Sequence, residues 1–195
     1  MSTIKEQQHQ TDTSLFGFWV YLMTDCVLFA SLFATYAVLR SNTYDGPLPA
    51  AIISLPTALI ETLLLLTSSF TSGMGLLALR KKLKRAASAW YTATFLLGAA
   101  FLTFELREFS QLVNEGSSWR TSGFLSAFFT LLGTHGLHIA VGLLWLIVLL
   151  VFMWKKKITG SLIKKFQYFG LFWHFLDIIW IFIFTIVYLM GVIHL

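Results

Sequence analysis

Apolar residues along this chain fall into five long runs, at about 16–39, 56–79, 86–113, 123–154 and 166–194. Each run has at least the ~20 residues that cross ~30 Å of hydrocarbon at 1.5 Å per residue. The pattern predicts an all-α fold, an integral membrane bundle of five transmembrane helices. It forms a single domain over 15–195 behind a short polar N-terminus, 1–14. The connectors are equally legible. Asp45-Gly46-Pro47 is a turn signal, and Pro56 suits the first turn of the second helix. Arg80-Lys81-Lys82-Leu83-Lys84-Arg85 is a basic hinge, Asn114 to Ser122 a polar turn, and Lys155 to Lys165 a basic loop.

Composition agrees with the pattern. The 195 residues are 57% hydrophobic and 12% charged, with a mean hydropathy of +0.76, against roughly 25% charged residues in soluble domains. The net charge of +5 does not indicate nucleic acid, because the basic residues gather at helix ends. Eleven of the fourteen Lys and Arg lie on the side shared by the N-terminus and the second and fourth loops. Arg40 and Arg120 lie on the other side, and Arg107 lies within the third run. The excess of basic residues on the inner side of membrane proteins then predicts a cytoplasmic N-terminus and a C-terminus outside.

Cys26, the single cysteine, precludes an intrachain disulfide or a cysteine metal cluster and reads as a small packing residue. No cleavable signal peptide is expected: 1–14 is polar and the following run is too long for one. A phosphate-binding glycine loop, a serine nucleophile motif and a cysteine pair are all missing, so soluble-type enzyme chemistry has no foothold. An odd helix count without an internal repeat argues against an inverted-repeat transporter.

The candidate chemistry lies inside the apolar runs. Asp25, Glu61, Glu105, Glu108, His135, His138, His174 and Asp177 all fall there. A charged side chain in hydrocarbon costs about 2.5–3.5 kcal/mol on insertion scales unless it is paired, neutralised or hydrated. Helical rise sorts these residues into two layers. Asp25, His138, His174 and Asp177 fall near the centre, and Glu61, Glu105, Glu108 and His135 towards the outer side. Glu105/Glu108, His135/His138 and His174/Asp177 are each three apart and share a helix face.

Three readings fit: a metal site, a proton or ion path, or neutral and paired groups that join helices. The ligand pattern lacks the Glu-x-x-His pairs of di-iron bundles. A path would need polar groups throughout, and the cytoplasmic third has few. Ser69/Gly73, Thr71/Gly75, Gly133, Gly136 and Gly142 allow close helix approach. Trp90, Trp119 and Trp154 read as interface anchors.

Two segments, Phe-Trp-His-Phe-Leu-Asp-Ile-Ile-Trp at 172–180 and Gly-Thr-His-Gly-Leu-His-Ile-Ala-Val-Gly at 133–142, resemble subunit III of the haem–copper respiratory oxidases. Glu105-Leu-Arg-Glu108 is similar to that family's acidic pair, and the resemblance runs from about Leu15 to Met190. Phe16 to Cys26 and Ser122 to Phe129 look most like the five-helix form in bacterial cytochrome bo-type ubiquinol oxidases. The resemblance implies a non-redox subunit of a proton-pumping quinol oxidase in a bacterial inner membrane, with a periplasmic C-terminus. Haem and copper are then expected in partner subunit I, ubiquinol as substrate of the complex, and subunits II and IV and phospholipids as further partners. The chain itself is expected to hold no cofactor and to contribute assembly, lipid binding and sustained turnover. Its eight buried polar residues become a framework, with His138 and His174/Asp177 as partners of Asp25. Asp25 stands where many cytochrome c oxidase members carry a glutamate, so the buried acid is kept with a shorter arm. The alternative from another class is an independent proton or ion transporter.

Overall fold

The protein is seen here as a computed structural model. It describes residues 2–40, 54–116, 122–155 and 157–193, with side chains for Thr13 and for those of 15–191 within these ranges. Asp45-Gly46-Pro47, Trp119, Arg120, Lys156 and His194 lie outside the described residues.

The chain builds α1 (Ser2–Leu39), α2 (Leu55–Arg80), α3 (Lys84–Asn114), α4 (Gly123–Lys155) and α5 (Gly160–Ile183). A π-helical stretch, Phe184–Leu189, and the short α6 (Met190–Ile193) continue α5. No strand occurs among the described residues. Five helices are long and apolar enough to span a membrane, over Leu15–Leu39, Leu55–Arg80, Lys84–Asn114, Gly123–Lys155 and Gly160–Leu189.

Two boundaries differ from the sequence pattern. α1 continues N-terminally through the polar stretch from Ser2, where glutamine and glutamate favour helix and no glycine or proline interrupts it. α5 begins at Gly160, so Lys164 and Lys165 sit in its opening turns rather than in the loop. Thr159 explains the earlier start. It is extended, and its hydroxyl accepts from the Leu162 amide at 3.4 Å, which satisfies one of the free donors of a helix start.

The basic hinge closes α2 by a defined motif. Leu83 N donates to Ala78 O at 3.0 Å and Lys82 N to Leu79 O at 2.9 Å. This is the paired 6→1 and 5→2 bonding that ends helices with one left-handed residue. Lys82, at φ 59°, takes that position without being glycine. α3 ends more conventionally, with Gly116 at φ 83° just past its last turn.

α2 and α3 form the most extensive pair, α4 packs on α1, α3 and α5, and α5 also packs on α2, whereas α1 meets α5 mainly through aromatic rings. Small residues set these distances. A Cβ on Gly75 would stand 2.9 Å from the Tyr91 ring, so α2 and α3 approach through a Gly–Tyr contact. Trp173 of α5 is fully buried between Gly98 of α3 and Gly142 of α4.

Hydrogen bonds across helices accompany the packing. Trp173 Nε1 donates to Ser68 Oγ at 2.9 Å, Trp180 Nε1 to Thr62 Oγ1 at 3.0 Å, and the Thr71 and Thr94 hydroxyls meet at 2.8 Å. Such bonds hold helices together where burial of apolar surface cannot, since lipid tails are as apolar as leucine. At the basic end, Trp154 is exposed and donates to Ser88 at 2.9 Å, while Trp90 is half-buried.

Candidate functional site: a polar interior and a lateral groove

The polar residues singled out from the sequence form three separate groups. The first joins α1 to α4. Asp25 is buried, and its Oδ1 lies 3.7 Å from His138 Nε2. His138 Nδ1 lies 2.7 Å from the Thr134 carbonyl oxygen, so the proton of this nitrogen is donated there. The remaining nitrogen, Nε2, faces the Asp25 carboxyl across the α1–α4 contact. The Phe29 ring covers His138 at 5.3 Å.

The second group joins α5 to α2. The Ser69 hydroxyl donates to Asp177 Oδ2 and lies 2.8 Å from His174 Nδ1. His174 and Asp177 are 4.0 Å apart. The expectation that both partner Asp25 is therefore corrected: they pair with a serine of α2. The reason lies in the packing, since Asp25 faces α4, whereas His174 and Asp177 face Ser69 of α2. His174 is also not an interior residue, for half of its side chain is exposed.

The third group lies at the end remote from the basic loops. Glu61 of α2 and Glu105 of α3 are buried, and Glu105 is within electrostatic reach of both Glu61 and Glu108. Tyr188 donates to Glu108 Oε2 at 3.2 Å. The π-helical turn carries Tyr188, fully buried, into this group. π-Turns often occur at such sites because they re-aim a side chain. His135, assigned by depth to the same layer, is enclosed by aromatic rings instead. Trp180 stacks on it at 5.4 Å, and Phe101 and Phe29 meet it edge-on at 5.9 and 6.3 Å.

Sequence reasoning missed Ser69 as a hydrogen-bond centre, because it read that residue as a small packing position. It missed Tyr188 altogether. No pattern announced the π-turn, although a tyrosine inside an apolar run was a signal that its hydroxyl needs a partner.

A groove opens beside the second group. One part, about 380 Å³, is lined by Arg80, Lys164, Gln167, Tyr168, Leu171 and His174 among others. A second, about 220 Å³, is walled by Trp19, Met23, Cys26, Leu171, His174 and Phe175. Leu171 and His174 belong to both, so a cationic mouth leads along α5 to an apolar floor. Cys26 is exposed on that floor, which replaces its expected role as packing filler.

These groups do not fit haem iron or copper. His138 is engaged at Nδ1 by the Thr134 carbonyl, His174 by Ser69, and His135 is closed in by rings. No three His, Cys, Asp or Glu converge as metal ligands among the described residues.

Fold and site thus define a polytopic helical membrane protein whose polar side chains mainly bind one helix to another. The family model for cytochrome c oxidase subunit III matches residues 5–192, and the chain belongs to that family. It is 53% identical over 178 residues to cytochrome bo(3) ubiquinol oxidase subunit 3 of Pseudomonas aeruginosa, covering 91% of this chain and 85% of that one. It is 48% identical over 179 residues to the protein of the same name from Pseudomonas putida, covering 92% and 86%. Cytochrome c oxidase subunit 3 of Alkalihalophilus pseudofirmus is 47% identical over 177 residues, covering 90% and 86%.

Proposed function

We propose that this chain is the non-redox third subunit of a proton-pumping terminal quinol oxidase in a bacterial inner membrane. The complex oxidises ubiquinol and reduces oxygen to water. The observation that carries the reading is the 53% identity, over 91% of the chain, to a relative named as a ubiquinol oxidase subunit. Haem and copper belong to subunit I, which supplies the redox chemistry. This chain supplies a helical surface for subunit I, with subunits II and IV as further members of the assembly.

The N-terminus and the two basic loops face the cytoplasm, in line with the excess of Lys and Arg there. The C-terminus faces the periplasm. The groove takes a phospholipid. Its phosphate lies between Arg80 and Lys164 at the mouth, and a chain runs over Leu171 towards Trp19 and Phe175. Basic pockets between helices on the cytoplasmic side bind anionic headgroups in this way. The Asp25–His138, Ser69–His174–Asp177 and Glu61–Glu105–Glu108 groups hold the bundle in one arrangement beside subunit I.

The electron donor is what the relatives divide on, because some are named for cytochrome c. Oxygen uptake by membranes in which this complex is the sole terminal oxidase decides it. Ubiquinol is expected to drive uptake and reduced cytochrome c to leave it at background. Uptake driven by cytochrome c and not by ubiquinol overturns the assignment.

A further inference from the structure

The glutamate group at the end remote from the basic loops has a surplus of acceptors. Both oxygens of Glu61, both of Glu105 and Oε1 of Glu108 are buried without a hydrogen-bond partner among the described residues. An ionised carboxylate only accepts. Among the described residues, the donor that reaches them is the Tyr188 hydroxyl, given to Glu108 Oε2. Arg107 stands between Glu105 and Glu108 in sequence, but it is exposed and belongs to neither ion pair of the described residues.

The missing donors have a restricted source. Glu61 is 0% exposed and Glu105 2%, so α2, α3, α4 and the π-turn already close them off from a neighbouring subunit's side chain or a lipid headgroup. A small molecule that donates two hydrogen bonds and accepts others matches these acceptors. Buried water, typically with about three hydrogen bonds to such groups, has that chemistry. Glu105 lies against Gly136 of α4. A Cβ there would stand 3.4 Å from its Oε2, so α4 presents bare backbone to the carboxyl.

We propose that Glu61, Glu105, Glu108 and Tyr188 form an internal water-binding site in the half of the bundle away from the basic loops. Water donates to the unpaired carboxyl oxygens, and any proton that the three acids hold in common is exchanged through it. The inference rests on this chain's own geometry and stands apart from the identity of the electron donor.

The test is a cryo-electron microscopy map of the intact wild-type complex at a resolution that shows ordered water. The expected result is water density within hydrogen-bonding distance of oxygens from at least two of the three glutamates. Carboxyls bonded directly to each other, or to a partner subunit's side chain, with no water between them overturn the proposal. Infrared difference spectra of the same complex in H₂¹⁸O give a second readout. A water O–H band sensitive to the isotope is expected in wild type and is expected to be lost in Glu61→Leu and in Glu105→Leu. Retention of the band in either variant that still carries this chain overturns the assignment to these residues.

Discussion

Replacing His138 with leucine is expected to destabilise the bundle by about 1–3 kcal/mol, the penalty for leaving a buried polar group without the group that faces it. Asp25 sits on α1, and the facing group on α4 is His138 at 3.7 Å, with Asp25 Oδ2 already unpartnered. The contact matters more than its length suggests, because α1 has its main packing on α4 and meets α5 through a few aromatic rings. Loss of the imidazole therefore loosens the helix that has the fewest other attachments. The double change Asp25→Leu with His138→Leu is expected to recover most of the stability, since a buried pair replaced by apolar groups of similar size is often neutral. Detergent or thermal unfolding of the purified complex, followed by retention of this chain, measures both. Equal losses in the single and the double variant contradict the pairing. Haem content is expected to stay near normal in all variants that assemble, because Asp25 contacts no cofactor ligand set in this chain.

Gly142→Leu has the second large effect. Trp173 is 0% exposed and confined on three sides. Its Nε1 is bonded to Ser68 of α2, and its ring lies 2.9 Å from a Cβ on Gly98 and 3.0 Å from one on Gly142. Phe172 Cε1 would stand 3.1 Å from the same Gly142 Cβ. A branched side chain there has to push an indole that cannot retreat. Overpacking of this kind costs typically about 1–3 kcal/mol, more where the neighbours are fixed. The expected result is a complex that loses this chain on purification. Gly73→Ala is the matched control: a Cβ at Gly73 meets nothing within 4 Å, so the chain is expected to be retained. Loss of the chain from both variants contradicts the packing argument and indicates a general intolerance of larger side chains.

The two variants also mark what could be read from the sequence and what could not. The spans were legible because twenty-odd apolar residues between basic and polar connectors have one physical solution in a bilayer. The start of α5 was less so. Lys164 and Lys165 looked like loop, and the Thr159 cap that starts the helix before them was not read from the sequence. Spacing also placed Glu105 with Glu108 and His174 with Asp177, since residues three apart share a face.

Spacing says nothing about which helix a face meets. Asp25 has its carboxyl on α4 because α1 packs there, and that choice is made by the small residues and aromatic rings of all five helices together. Helical rise sorted His135 into the layer of the glutamates, but its ring faces elsewhere. It turns towards Trp180 and Phe101, while Glu105 turns towards Glu61 and Glu108. Tyr188 was the least legible, for its inward aim depends on a single wide turn at Phe184–Leu189. Motif likeness then supplied what spacing could not, namely a family, and through it a complex in which a subunit without redox ligands has a place.

The decisive measurement is purification of a tagged chain in mild detergent, with mass spectrometry of what accompanies it and a reduced-minus-oxidised spectrum of the eluate. The expected result is stoichiometric co-elution with a larger haem-bearing subunit, haem bands in the complex, and no haem on this chain once the subunits are separated. A solitary, colourless chain that moves protons or ions when placed alone in lipid vesicles contradicts the assignment.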